Sequence, residues 1–360
     1  IRSCLVGSEM CIRDRLMPVP RIAISLGDPF GIGPEVVVAA LADPTLRGAA
    51  QWIIHGSSQP MLEAAENRGI EPWWYRVDFD GERQEHGFSH PAVLIDEPLP
   101  NGVTGQPGPS EAGGHLSKQW VERAVADTLR PSNHARHADA MVTAPIAKSS
   151  WRLAGYQWPG HTELLAHRCQ AKPHAMGFVA GRLKIVLATC HQPLETVCET
   201  LSIGRVHDCI GLGVQFARQF GLSAPRIAVC GINPHAGEGG VLGDEEERII
   251  QPAIELAQGQ YGNNGGTQIT GPWPGDTVWK SALAGKHDVV VAMYHDQGLI
   301  PAKLVAPEGA VNLTLGLPVV RTSPDHGTAF DIAGLGKADD SSMKRAIELA
   351  LDLIPVGTSL

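Results

Sequence analysis

The sequence predicts an α/β protein built on a largely parallel sheet flanked by helices, and three observations predict it. Short apolar runs such as Val289-Val290-Val291-Ala292-Met293 read as strands buried on both faces. These runs alternate with helix-length stretches, the order that builds a parallel sheet. Three of the runs stop at polar, turn-forming clusters, each with a histidine: Thr189-Cys190-His191-Gln192-Pro193, Ile232-Asn233-Pro234-His235-Ala236-Gly237 and Tyr294-His295-Asp296-Gln297-Gly298. Open α/β sheets bind ligands at the carboxyl ends of their strands. Three histidines at three strand exits therefore suggest one shared site.

Arg21 to Leu26 is the first strand. The glycine turn Gly27 to Gly33 comes next, and Pro34-Glu35 opens a helix, proline suiting the first helical turn. The turn lacks GxGxxG spacing, so it reads either as a tight structural turn or as a ligand contact. Ile53 to Gly56 is a second strand, with a helix from about Pro60 to Arg68. Residues 71 to 113 carry little pattern apart from a strand at Ala92 to Asp96, and Trp73, Trp74 and Tyr75 are expected to pack locally. A helix spans about Ser110 to Leu129, and Ala140 to Lys148 is a strand running into a loop. Pro159 to Leu165 is a turn leading into a helix. The strands ending at His191, His235 and His295 come next, separated by helices near Leu201–Phe220 and Asp244–Ala257. Gly271 to Thr277 reads as a rigid turn carrying Asp276. Val311 to Thr314 and Pro318 to Arg321 read as strands, and a final amphipathic helix covers about Ser341 to Leu353.

At 360 residues the chain exceeds one hydrophobic core, so two domains are expected. The net charge of −9 without a basic run argues against nucleic acid, and no apolar stretch has the length of a membrane span. Seven scattered cysteines without CxxC spacing suit a reducing cytoplasm. Residues 1 to 16 do not fit the pattern of the rest of the chain and read as a non-native or disordered extension.

Three neutral imidazoles would leave a divalent ion its full charge for Lewis-acid work. The alternative is unrelated surface histidines, since the chain has fifteen. Lys303, Asn312 and Arg321 also fall near strand ends; the two cations could bind phosphate or carboxylate, or be solvated. Asp296 and Asp276 could each act as a general base, or could orient a ligand histidine.

Taken together, GDPFGIGPEV (27–36), VTAPIAK (142–148), GHTELLA (160–166), NPHAGEGG (233–240), AMYHDQGLIP (292–301), VNLTLGLPVVRTSPDHGTAFDIAG (311–334) and GKAD (336–339) resemble the 4-hydroxythreonine-4-phosphate dehydrogenase family of vitamin B6 biosynthesis. The resemblance runs from Arg21 to about Ile354. HGTAFDIAG is also similar to the cofactor loop of isocitrate and isopropylmalate dehydrogenases, which implies their two-domain fold with the active site in the interdomain cleft of a homodimer. The implied partition is 17–144 plus 306–360 for one domain and 145–305 for the other.

The resemblance further implies one divalent ion (zinc, magnesium or cobalt) on His191, His235 and His295. It implies substrate contacts from His161, Thr162, Lys303, Asn312 and Arg321, and catalytic importance for Asp276 and Asp296. NAD or NADP would lie on the loop carrying His326, Gly327, Thr328 and Asp331. The implied reaction oxidises a phosphorylated hydroxy acid to a β-keto acid that loses carbon dioxide. Sister enzymes that oxidise D-threonate or D-erythronate 4-phosphate remain an alternative; a non-catalytic relative would have lost a ligand, and none is lost here. One departure is Ala147, where relatives often carry His or Asn.

Overall fold

The computed structural model describes residues 19–79, 88–100, 106–262, 266–307 and 309–354. The expected extension at residues 1 to 16 lies outside them. In chain order the strands are β1 (Arg21–Ser25), β2 (Gln51–Gly56), β3 (Tyr75–Asp78), β4 (Ala92–Asp96), β5 (Ala140–Thr143), β6 (Ala175–Ala180), β7 (Leu183–Leu187), β8 (Arg226–Cys230), β9 (Gln268–Trp273), β10 (Val289–Ala292), β11 (Val311–Leu315) and β12 (Val320–Pro324). They form one sheet in the order β3-β4-β2-β1-β5-β12-β11-β6-β7-β10-β8-β9.

The expected fold class is observed: a mostly parallel sheet flanked by helices. Pairing is parallel from β3 through β12 and again through β7, β10, β8 and β9. Between these blocks, β12 to β11, β11 to β6 and β6 to β7 are antiparallel. Three antiparallel steps reverse direction, so the two parallel blocks run opposite ways. Within the second block β7, β10 and β8 are neighbours, so their carboxyl ends emerge on one edge. That edge carries the three histidine clusters.

The central strands are apolar on both faces because helices cover both. Ile22, Ile24, Leu94 and Val142 lie in one buried cluster with Val36 and Val37 of the helix Gly33–Ala40 and Ile347 of the helix Ser341–Leu353. Ala23 and Met141 lie in another with Val121, Ala124 and Val125. The last three come from the helix Glu111–Thr128, whose first turn is capped by Ser110 Oγ accepting from Gly113 N at 3.0 Å. Such a cap contributes about 1 kcal/mol. Ser202 caps the helix Ile203–Gln219 in the same way.

The glycine turn after β1 is structural in part. Gly27 has φ +73°, and a Cβ there would stand 2.2 Å from Pro145 O. Only glycine permits that backbone approach, which lets Asp28 N donate to Pro145 O and couples the exits of β1 and β5.

Several local expectations need correction. β3, β6 and β9 fall where no strand is expected; Gly177, Gly271 and Pro272 weaken the local β signal in two of them. β12 starts at Val320 and runs past Arg321 to Pro324, so Pro318 and Val319 lie in the preceding turn. The polar cluster after β10 is the first turn of a helix, His295–Val305, and Lys148–Leu153 is helical too. Among the described residues no helix is long and apolar enough to cross a membrane.

Candidate active site

The exits of β7 and β10 are latched together. Ala188 N donates to Ala292 O, and Thr189 donates twice to Met293 O, from its N and from its Oγ1 (2.7 Å). The next residues of each strand therefore project side by side, and the rings of His191 and His295 lie 5.7 Å apart. Together with Cys190, Tyr294 and Asp296 they line a pocket of about 460 Å³. Asp296 sits 2.7 Å from His295 Nδ1. A carboxylate there holds the proton on Nδ1 and leaves Nε2 free to bind a ligand. Burial, with help from the Lys148 charge, pushes the His191 pKa down and favours its neutral, ligating form.

Glu163, Cys190 and His191 bring one ligand atom each to within 4.8 Å of one another. Glu163 comes from the first turn of the helix His161–Arg168. His235 and His295 are not part of this group. His235 occupies a left-handed turn (φ 53°) with Ala236 (φ 54°) and Glu238 (φ 47°). A nearly buried carboxylate holds the start of that loop, since Glu246 Oε1 accepts from the backbone N of Ile232 and Asn233, each at 2.8 Å. Gln297 stitches the adjacent exits, donating to Gly231 O and accepting from Met293 N, both at 2.7 Å.

A second centre lies where β5, β12 and β11 meet. Arg321 is 3% exposed, and its partners are all neutral: Thr143 Oγ1 at 2.6 and 3.2 Å, Thr314 Oγ1 at 3.2 Å and Asn312 Oδ1 at 3.4 Å. Burial pushes its pKa down to about 9, against a raising contribution from the Glu163 charge. Beside it, Thr162 Oγ1 lies 3.4 Å from Thr314 Oγ1. Burial, then the charges of Arg321 and Lys148, drive the His161 pKa well below its ordinary value, so this imidazole is neutral. Its Nε2 is buried without a hydrogen-bond partner. A buried cation and an unsatisfied ring nitrogen in one place suit an anionic, hydrogen-bonding ligand.

The other expected residues lie further out. Lys303 sits near the end of its helix, 61% exposed and 3.8 Å from Asp325. Asp276 is exposed on the turn before the helix Val278–Leu283, and that turn packs on Gln297 at Gly275. On the His326–Asp331 loop, Thr328 O accepts from Ile32 N at 2.9 Å, and Gly31 abuts Thr328 closely enough that a Cβ would clash. His326 Nε2 is buried without a partner there, while Gly327 faces open space.

Sequence reasoning missed Thr143, Thr314, Glu163, Cys190, Glu246 and Gln297. Thr143, Glu163 and Gln297 stand inside the motifs VTAPIAK, GHTELLA and AMYHDQGLIP, so the motif itself was the available signal.

Comparison with known proteins agrees with this architecture. The chain is 44% identical to a 4-hydroxythreonine-4-phosphate dehydrogenase of Desulfosudis oleivorans, over 93% of this chain and 96% of that protein. It is 42% identical to a D-threonate 4-phosphate dehydrogenase of Salmonella typhimurium, over 94% of this chain and all of that one. A crystal structure of 4-hydroxythreonine-4-phosphate dehydrogenase from Klebsiella pneumoniae superposes with a TM-score of 0.80 at 41% identity, covering 94% of this chain and 99% of that one. Fold, site and relatives define an oxidoreductase of the dehydrogenase class. The chain belongs to the family described as pyridoxal phosphate biosynthetic protein PdxA, whose model matches residues 51–350.

Proposed function

We propose that the chain oxidises 4-(phosphooxy)-L-threonine with NAD or NADP to 2-amino-3-oxo-4-(phosphooxy)butanoate. That product decarboxylates to 3-amino-2-oxopropyl phosphate on the way to pyridoxal 5′-phosphate. The observation that carries the reading is Arg321, a buried guanidinium whose hydrogen-bond partners are all neutral, beside His161, whose ring Nε2 is buried without a partner. Both groups are served by a phosphorylated acid, whose oxygens accept from Arg321 in fork geometry. Thr162 and Asn312 border the same place, and Lys303 adds a solvated cation from the rim.

The donor chemistry at the strand exits fits a divalent ion, zinc, magnesium or cobalt, held through His191, His235 and His295. The buried, unpartnered His326 Nε2 and the open space at Gly327 fit a cofactor on the His326–Asp331 loop, with Thr328 and Asp331 as further contacts. When bound, the ion supplies a Lewis acid for the reacting hydroxyl and the nicotinamide supplies the hydride acceptor. Asp296 holds His295 in its ligating tautomer and offers a solvated carboxylate to take the hydroxyl proton; Asp276 on the neighbouring turn is the other candidate. His235 lies outside the Glu163-Cys190-His191 group of one chain, so we place the completed site near the subunit interface of a cytoplasmic homodimer. The domain partition we propose for it is 17–144 plus 306–360, and 145–305.

A second reading, oxidation of D-threonate 4-phosphate or D-erythronate 4-phosphate, is favoured by the 42% identical Salmonella relative. The two readings share the phosphate and metal contacts and differ at the substrate amine. An assay of NAD reduction on all three substrates, with chelator and with added divalent ion, separates them. Metal-dependent turnover of the amino substrate alone is the expected outcome; preference for the sugar acids would transfer the chain to the second reading. His235→Ala should lose metal and at least about 100-fold in turnover while staying folded. Near-normal turnover in that variant would remove His235 from the metal site.

A further inference from the structure

We propose that Glu35 is a positioning residue for the nicotinamide cofactor: with Arg68 it fixes the far end of the segment that carries His326, Gly327, Thr328 and Asp331. The proposal rests on the reading of that loop as the cofactor site and deepens it by naming what holds the loop in shape. Glu35 stands in the first turn of the helix Gly33–Ala40 and is 3% exposed. Its Oε1 accepts from Ala338 N at 2.8 Å and from Arg68 Nε and Nη2 at 3.1 Å each. Arg68 Nη2 also donates to Ala338 O. Both backbone groups of Ala338 are therefore gripped by one largely buried ion pair.

The segment between β12 and the last helix has little else to define it. Residues 325 to 340 form bends, turns and irregular chain. Among the described residues, hydrogen bonds tie it to remote parts of the fold at Thr328, whose O accepts from Ile32 N at 2.9 Å, and at Ala338. Both anchors lead to one element, since Ile32 is the N-cap of the helix whose first turn carries Glu35. Packing keeps the same arrangement: Gly336 (φ +67°) lies so close to the end of the helix Ser58–Arg68 that a Cβ would stand 2.5 Å from Asn67 O. The contact thus joins two of the sequence motifs, GDPFGIGPEV and GKAD. The carboxylate is poorly served by the fold itself, because Glu35 Oε2 is buried without a partner. A buried charge with an unmet oxygen lowers stability. What it contributes is order. A loop fixed beforehand spares its ligand the loss of conformational freedom on binding. Without Glu35 the binding-ready loop is populated for only part of the time, and the apparent affinity falls by that fraction. The loss falls on cofactor binding and not on the chemical step.

The test uses the full chain and reads NADH and NADPH binding by nicotinamide fluorescence, with amide hydrogen exchange of peptides spanning 326–339. Glu35→Ala should raise the Kd for the reduced cofactor, and the KM for the oxidised one, about tenfold. The kcat at saturating cofactor and the KM for the phosphorylated substrate should stay within about twofold of the parent. Exchange at 326–339 should quicken in the free variant and return to the parent's rate under saturating NADH. Glu35→Gln keeps an acceptor for Ala338 N and gives up the charge facing Arg68, so its Kd should lie between; it carries the test if Glu35→Ala does not fold. A parental Kd in a folded variant, with NADH still slowing exchange at 326–331 in the parent, would overturn the positioning role and leave the cofactor loop standing. A fall in kcat with both KM values raised would overturn it too, as general damage to the fold. NADH that binds the parent without slowing exchange at 326–331 would remove the cofactor reading and this proposal with it.

Discussion

Replacing Arg321 by Met should make the empty protein more stable and the enzyme nearly inactive. The two effects have opposite signs because the guanidinium is buried for a ligand and not for the fold. Burial pushes its pKa down from the ordinary guanidinium range to about 9. At about 1.4 kcal/mol per pH unit, that is on the order of 5 kcal/mol against the charged form. A base whose folded pKa is depressed carries this penalty fully below pH 9, and it is relieved as pH rises above 9 towards the ordinary guanidinium range. Truncation leaves Thr143, Thr314 and Asn312 without their guanidinium donors, at about 1 kcal/mol each. The net expectation is a gain of about 1 to 3 kcal/mol in the ligand-free protein, visible as a rise of a few degrees in Tm. Inorganic phosphate or substrate should raise the Tm of the parent, by up to about 3 kcal/mol equivalent at a hundred times Kd, and leave the variant unmoved. Two charge-assisted hydrogen bonds of about 1.5 to 3 kcal/mol each predict a fall of roughly 10² to 10⁴ in kcat/KM. A ligand-free variant less stable than the parent, with an unchanged response to phosphate, would refute the reasoning.

Thr143 is buried and makes the shortest contact to Arg321, so it aims the guanidinium. Thr143→Val should raise KM for the phosphorylated substrate about tenfold with kcat little changed, and Thr143→Ser should restore it; equal KM in all three forms would show that Thr143 only packs. Asp127 is buried and accepts from His55, Arg130 and Arg136 at 2.9 to 3.1 Å. Burial raises its pKa, but His55 and the two arginines outweigh it and hold the carboxyl at about 2. A depressed carboxyl pKa stabilises the fold above pH 3.8, and that stability, about 2 kcal/mol, is lost as pH falls from 3.8 towards 2. Asp127→Asn should cost about 3 to 5 kcal/mol in urea unfolding near neutral pH, because the arginine charges are then left without their counter-ion. A loss under about 1 kcal/mol would show that these charges are solvated.

By itself the sequence determined the fold class, most of the strands, and the clustering of chemistry at strand exits. Apolar runs buried on both faces and polar exits are local patterns, so composition and order along the chain are enough to read them. Arg321, Asn312, His161 and Thr162 were legible through their motifs, and so were His191 and His295 as neighbours.

Only the tertiary structure decided how distant segments meet. The order β7-β10-β8 puts three exits on one edge, and the antiparallel steps through β11 and β6 set Asn312 and Thr314 beside Arg321. No local period encodes such pairings, because the partners come from well-separated parts of the chain. β6 and β9 escaped for the same reason, since glycine and proline weaken their local signal while cross-strand hydrogen bonds hold them in place. Burial is likewise a property of the assembled sheet. A lone arginine in a sequence reads as a solvated surface charge; placed between β5, β11 and the helix His161–Arg168, it becomes a desolvated cation facing neutral oxygens. The meeting of Glu163 with Cys190 and His191 has the same origin, a helix start and a strand exit brought together by packing alone.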